Sequence, residues 1–232
     1  RQVHIERLPT WKNPKHGQQW INTLIEYAFP KIGRLPVSEI GQPEVLQVLL
    51  PIWTEKHETA TRLAQRMKAV LDVAKSKGFR DGENPVMTIR DARVLPQVKK
   101  KVQHHKAMRW QDVPAFYAEL GTKDAMAAKA LMFTCLTVCR TSEVLNACWG
   151  EFDFDELIWT VPAERMKADK AHRVPLTSEM ILILEPLKAL RSKVVFEGQK
   201  RHRPMSNMAM LMLLRRMKVE DVTVHGFRSA FR

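Results

Sequence analysis

Between Ala125 and Cys139 the chain is apolar except for Lys129, Thr134 and Thr137, and no other stretch limits the fold as strongly. A helix that is apolar on nearly every face must be wrapped by other elements. The run falls short of the roughly 18 apolar residues that a membrane span requires, and no secretory signal is visible. It therefore reads as the central helix of a core, extending over Asp124 to Cys139. A helix around Asp112 to Leu120 precedes it. After it, Leu157, Trp159 and Val161 alternate with Ile158 and Thr160, the period of a strand, and His172 to Leu176 offers an antiparallel partner. Met180, Ile181, Leu184 and Leu187 mark another helix, and Ser206 to Met217 a last one. Its methionines (Met205, Met208, Met210, Met212, Met217) read as core packing.

Upstream, the pattern is helical throughout. Trp20, Ile21, Leu24, Ile25 and Ala28 form one stripe, which closes at Pro30. Pro43 opens a second helix through Val45, Leu46, Val48 and Leu49, with Pro51 inside it or ending it. Leu63, Met67, Val70, Leu71 and Ala74 form a third, stopped at Gly78. The opposite face of that helix carries Arg62, Gln65, Arg66, Lys68 and Lys75, which reads as a solvated face. The bundle ends near Pro96. From Val98 to Arg109 there are five Lys or Arg, no acid, and the pair His104–His105. This segment reads as a solvated basic tether. The expected organisation is a helical domain over 1–97, a linker over 98–109 and a second domain over 110–232. The fold class is mainly α with a small β-sheet.

Charge narrows the partners. Lys and Arg outnumber Asp and Glu by 38 to 25, giving +13 and a pI near 9.9. Such an excess points to a polyanion, most commonly nucleic acid. Arg62 and Arg66 on the third helix, and Lys99, Lys100, Lys101 and Lys106 in the linker, are the candidate phosphate contacts. Cys135, Cys139 and Cys148 have neither disulfide-framework nor paired zinc spacing; Cys135 and Cys139, four apart in the apolar helix, read as buried small side chains, and a reducing, cytoplasmic setting fits. Glu151, Asp153, Asp155 and Glu156 are the one acidic cluster, and they read as a solvated loop rather than a metal site. No metal or cofactor is expected. Arg140 directly follows the buried helix, so its guanidinium requires a partner, and Glu143 is the nearest acid.

His225 and Arg228 lie three residues apart near the end of the chain, a spacing that lets both reach one phosphate. Alone, His-x-x-Arg is weak. Together with Thr137-Val-Cys-Arg140-Thr-Ser-Glu143-Val-Leu145 and with Lys167 ahead of Val174-Pro175-Leu176, it resembles the tyrosine recombinases, above all the integrases of prophages and genomic islands. The resemblance implies a helical core-binding lobe and a mixed, mainly helical catalytic lobe of the DNA breaking-rejoining type, which close as a basic clamp on DNA. It implies that Arg140, Lys167, His225 and Arg228 are catalytic, with Glu143 in support and Lys170 as an alternative to Lys167. The implied reaction is metal-independent cleavage and rejoining through a 3′-phosphotyrosyl link, which integrates or excises an element at double-stranded attachment sites. Full-length members act as homotetramers on DNA. Here the sequence departs from the pattern. The family's second histidine or tryptophan and its tyrosine nucleophile follow His-x-x-Arg, whereas the tyrosines of this chain are Tyr27 and Tyr117. The chain opens on Arg1 and stops four residues after Arg228. The expectation is thus an internal piece, without an arm-binding domain or nucleophile, monomeric, binding DNA without cleaving it. Two other readings are a DNA-binding remnant without chemistry and a relative of type IB topoisomerases.

Overall fold

The computed structural model describes residues 1–11, 13–98, 106–166 and 168–231. The chain divides into two compact units, Arg1–Lys101 and Val102–Arg232, each with a core of its own.

The first unit is wholly helical among the described residues. It comprises α1 (Gln2–Arg7), α2 (Pro14–Thr23), α3 (Phe29–Ile32), α4 (Gln42–Trp53), α5 (His57–Ser76) and α6 (Pro85–Asp91). Its core gathers Trp20, Leu24, Val45, Leu49, Leu63, Met67, Leu71 and Ile89. Pro30 does not close the first apolar stripe as expected. A π-turn over Leu24–Ala28 follows α2, and Pro30 sits in the first turn of α3, where a missing N–H is harmless. Pro51 lies inside α4. After α5, Gly78 takes φ +71, the left-handed stop anticipated there. Arg66 corrects the reading of a solvated face. It is 8% exposed, and its Nη1 donates to the Gln19 carbonyl at 2.8 Å and to the Thr23 hydroxyl. The arginine therefore cross-ties α5 to α2.

The second unit is built around α8 (Met126–Thr137), as its composition demands. Ala127, Ala128, Ala130, Leu131, Phe133, Thr134 and Cys135 are all buried. Around it stand α7 (Val113–Gly121), α9 (Thr141–Leu145), α10 (Ser178–Lys188), α11 (Ala209–Arg216) and α12 (Phe227–Ala230). A three-stranded antiparallel sheet runs β1 (Phe152–Asp153), β2 (Ile158–Val161) and β3 (His172–Pro175) in that order, with Trp159 opposite Val174. Trp159 is fully buried, its ring stacked on Phe152 at 5.5 Å and tilted to Phe133 at 5.4 Å. β1 replaces part of the expected acidic loop. Asp153 turns inward on the chain, its Oδ1 accepting from the N–H groups of Asp155 and Glu156. The methionine stripe is only partly core, since Met210 is buried whereas Met208 is 47% exposed. Lys99, Lys100, Lys101, His104, His105 and Lys167 lie outside the described residues. Among those described, no helix is long and apolar enough to cross a membrane.

Candidate functional site

The site begins where α8 ends. Val138 adopts φ 54 and ψ 19, a left-handed conformation costly for a β-branched side chain, and its N–H still bonds the Thr134 carbonyl at 3.0 Å. The bend releases Arg140 into an extended conformation as the N-cap of α9. Glu143, one turn on, is 3% exposed. Its Oε2 accepts from the Arg140 backbone N–H at 2.8 Å and its Oε1 from Arg140 Nη1 at 2.5 Å. The Arg140 side chain keeps 41% of its surface in solvent. One edge of the fork is thus fixed by a buried carboxylate and the remaining N–H donors face outward.

The second wall comes from the far end of the chain. Thr223 caps the turn Val224–Gly226, its Oγ1 accepting from the Gly226 N–H at 3.0 Å while its own N–H bonds the Lys106 carbonyl at 3.1 Å. A Cβ on Gly226 would lie 2.2 Å from that carbonyl oxygen, so only glycine fits. Phe227 is buried and stacks on Phe116 with centroids 5.3 Å apart. Between these anchors His225 is exposed. Arg228, half-buried in α12, donates from Nη1 to the Val138 carbonyl at 2.5 Å, joining positions 90 residues apart. Arg140, Thr141, Ser142, Asn207 and His225 line one depression of about 290 Å³. Larger hollows of about 530 and 670 Å³ in the first unit are walled chiefly by apolar side chains, and one of about 610 Å³ in the second unit is lined by Lys106, Arg215, Lys218 and Asp221 among others; none of the three gathers the sequence motifs in the same way.

Beneath the bend, burial pushes the Cys139 thiol up to about 11 and the Cys135 thiol to about 12, so both are held neutral. No group of three or more His, Cys, Asp or Glu among the described residues could hold a metal ion. The depression is cationic and rich in N–H donors. It is suited to a phosphate group and to extra charge developing on that group.

The expected site residues separate accordingly. Arg140 and His225 meet at the depression, whereas Arg228 is held to the Val138 carbonyl and is not one of its lining residues. Lys170 is exposed just ahead of β3. Arg62 is exposed and paired with Glu58 at 3.1 Å, and Lys106 pairs with Asp221. Asn207 was not anticipated, because nothing in its local sequence distinguishes it from a helix-start asparagine. Nor was the part played by Arg165. Its guanidinium donates to the Glu143 carbonyl at 2.5 Å and also to the Asn146 carbonyl and the Glu151 carboxylate. Glu151 in turn accepts from Trp159 Nε1 at 3.0 Å.

Known proteins align with both units. Residues 1–92 match the phage integrase central domain, and residues 106–232 match the phage integrase family. Prophage integrase IntA of Escherichia coli (strain K12) is 31% identical over 87% of this chain and 49% of its own length. The integrase of Enterobacteria phage P4 is 30% identical over 94% of this chain and 53% of its own. The chain thus spans about half the length of these curated relatives. A lambda integrase dimer, solved bound to a COC′ core site, superposes with a TM-score of 0.76 at 14% identity, covering 99% of this chain and 85% of that one. This likeness is one of fold.

Proposed function

The chain belongs to the phage integrase family, and from that premise we propose that it is the core-binding and catalytic portion of a site-specific DNA recombinase. Residues 1–97 form the core-binding domain, 98–109 the basic linker and 110–232 the catalytic domain. The partner is double-stranded DNA at attachment sites, held by the full-length protein as a homotetramer. The 232-residue chain alone is monomeric.

The observation that supports this reading is the convergence of two remote motifs on one bend. Arg140 and His225 share the depression, and Arg228 bonds the carbonyl of the residue that turns Arg140 outward. In strand cleavage a tyrosyl oxygen forms a bond to phosphorus as the P–O5′ bond breaks, and negative charge gathers on the nonbridging oxygens. Arg140, Arg228 and His225 stabilise that charge by charge-assisted hydrogen bonds. Lys167, or Lys170 in its place, donates the proton that the departing 5′-oxygen takes. The phosphotyrosyl link conserves the bond, so rejoining requires no cofactor.

Neither tyrosine of the chain suits the nucleophile's role. Tyr27 belongs to the first unit, where its hydroxyl accepts from Lys56 Nζ at 3.3 Å. Tyr117 is half-buried in α7, and burial raises its pKa, which disfavours the phenolate. The 232-residue polypeptide should therefore bind DNA without forming a covalent link. A nicked suicide duplex bearing the element's attachment core tests both statements. A covalent band is expected only from a version extended by a tyrosine-bearing C-terminal segment, and it should vanish on Arg140→Ala. Salt-sensitive binding with no band from either version would favour a DNA-binding module without chemistry.

A further inference from the structure

Beyond the phosphate site, the second unit carries a short hairpin whose construction exceeds what a connecting loop requires. Its root is in the core. Val195 and Phe196 are buried, and Val195 donates from its N–H to the Ala147 carbonyl at 2.9 Å, beside the residues that leave α9. Glu197 and Pro204 form an antiparallel bridge, closed by Gly198 N–H to the Arg203 carbonyl at 2.8 Å and Met205 N–H to the Phe196 carbonyl at 3.3 Å. A Cβ at Gly198 would meet the Pro204 carbonyl at 2.9 Å, so the two limbs approach as closely as the backbone allows. The tip is pinned from inside. Glu197 Oε1 accepts from Ser192 Oγ at 3.0 Å and from the His202 backbone N–H, and His202 Nδ1 accepts from the Lys193 N–H at 3.4 Å.

That framework presents Lys200, Arg201 and Arg203, all exposed, and none forms an ion pair among the described residues. The nearest acid, Glu197, is already committed to the hairpin's own N–H and to Ser192. Holding three cations together on a pinned loop costs self-repulsion, which a polyanion relieves. The position of the loop names the polyanion. Its outgoing limb reaches Asn207, a wall of the phosphate depression, four residues after Arg203. Four residues span at most about 14 Å, and a duplex advances roughly 3.4 Å per step. Arg203 therefore lies within about four base pairs of a phosphate held at Arg140 and His225, and Arg201 and Lys200, further back along the loop, within about seven.

We propose that the hairpin Glu197–Pro204 is a second DNA-backbone contact, in which Lys200, Arg201 and Arg203 neutralise phosphates a few base pairs from the one gripped at Arg140 and His225. The proposal rests on the DNA-binding reading above and adds to it a specific surface, one that positions the duplex without reading its sequence. Each cation that neutralises a phosphate contributes about 0.9 to the slope of log K against log salt.

The test uses the 232-residue chain and a short fluorescent duplex of arbitrary sequence, titrated between about 50 and 200 mM salt. Combined Lys200→Ala, Arg201→Ala and Arg203→Ala should flatten the slope by about 2–3 and weaken low-salt binding about tenfold or more. Arg201→Lys with Arg203→Lys should keep the slope. An equal charge loss elsewhere, through Arg215→Ala, Arg216→Ala and Lys218→Ala, should change it less. If the triple variant fails to fold by circular dichroism, single Arg201→Ala and Arg203→Ala variants decide, each expected to cost about one slope unit. An unchanged slope in the hairpin variants, or an equal change in the control, overturns the hairpin contact while leaving DNA binding intact. No duplex binding by the unmodified chain would overturn the DNA reading itself, and the hairpin contact with it.

Discussion

Glu143 carries two duties that a surface acid would not, and both act on Arg140. It closes the first turn of α9 through the Arg140 N–H and fixes the guanidinium through Nη1. Glu143→Ala would leave both donors unmatched and a hollow in the core, so unfolding in urea should show a loss of about 1–3 kcal/mol. Binding to duplex DNA should weaken in the same variant, whereas a loss under about 0.5 kcal/mol would mean the bonds contribute nothing measurable. Gly226 is constrained from the other side. Adding a methyl group 2.2 Å from the Lys106 carbonyl forces backbone to move, so Gly226→Ala should cost about 1–3 kcal/mol or more on the same assay. An undiminished midpoint would show that the segment at Lys106 yields freely. The buried thiols supply a pH dependence. Their folded pKa values, about 11 for Cys139 and about 12 for Cys135, are raised by burial above the ordinary thiol value of 9.0. Above pH 9 the unfolded chain sheds those protons while the folded chain retains them, so their stabilising contribution is complete below pH 9 and is lost as pH rises through about 11. Unfolding free energies measured across that window should fall, and Cys139→Ala should flatten part of the decline. A thiol reagent at neutral pH should reach half-buried Cys148 well before the other two.

Elements explain why Arg140 points where it does. Val138 holds a conformation that strains a β-branched residue by about 1–2 kcal/mol, and Arg228 secures the resulting bend through its carbonyl. Val138→Asn, better suited to that conformation, should raise stability by about 0.5–1 kcal/mol in thermal melts; a lower midpoint would mean that valine's packing outweighs its strain. At the opposite end of α9, Arg165 caps the last carbonyls and meets Glu151. Here the sequence was legible wherever partners are near neighbours. The apolar run of α8 forced its burial, the β2–β3 pairing followed from alternation, and Arg140 with Glu143 could be read three residues apart. Distant partners were invisible. Arg66 shares the spacing of a solvated face and is nonetheless tied to Gln19 and Thr23, 47 and 43 residues away. Asn207 and Arg165 gain their places from tertiary contacts alone. Local rules failed at Pro30 because the helix resets through a π-turn before it, and at Phe152–Asp153 because two residues carry no period.

At the scale of the whole chain, two cores account for its two compact units. Trp20, Leu49 and Leu63 belong to one, Leu131, Phe133 and Trp159 to the other, and each half should fold when made alone. If both halves meet one duplex, the covalent link turns the second contact into an intramolecular one. A short connection sets an effective concentration in the millimolar range, so the intact chain should bind about 10²–10⁴ times more tightly than either half. Mixing residues 1–98 with 106–232 in trans should recover little of that gain, because the second encounter is then bimolecular. Fluorescence anisotropy on one duplex, at one salt concentration, compares all three preparations directly. Equal affinity of the intact chain and the better half would mean that only one unit engages DNA. The salt slope then identifies which: a slope retained by 106–232 assigns the phosphate contacts to the unit that holds Arg140, His225 and the basic hairpin, and a slope retained by 1–98 moves them to the helical unit.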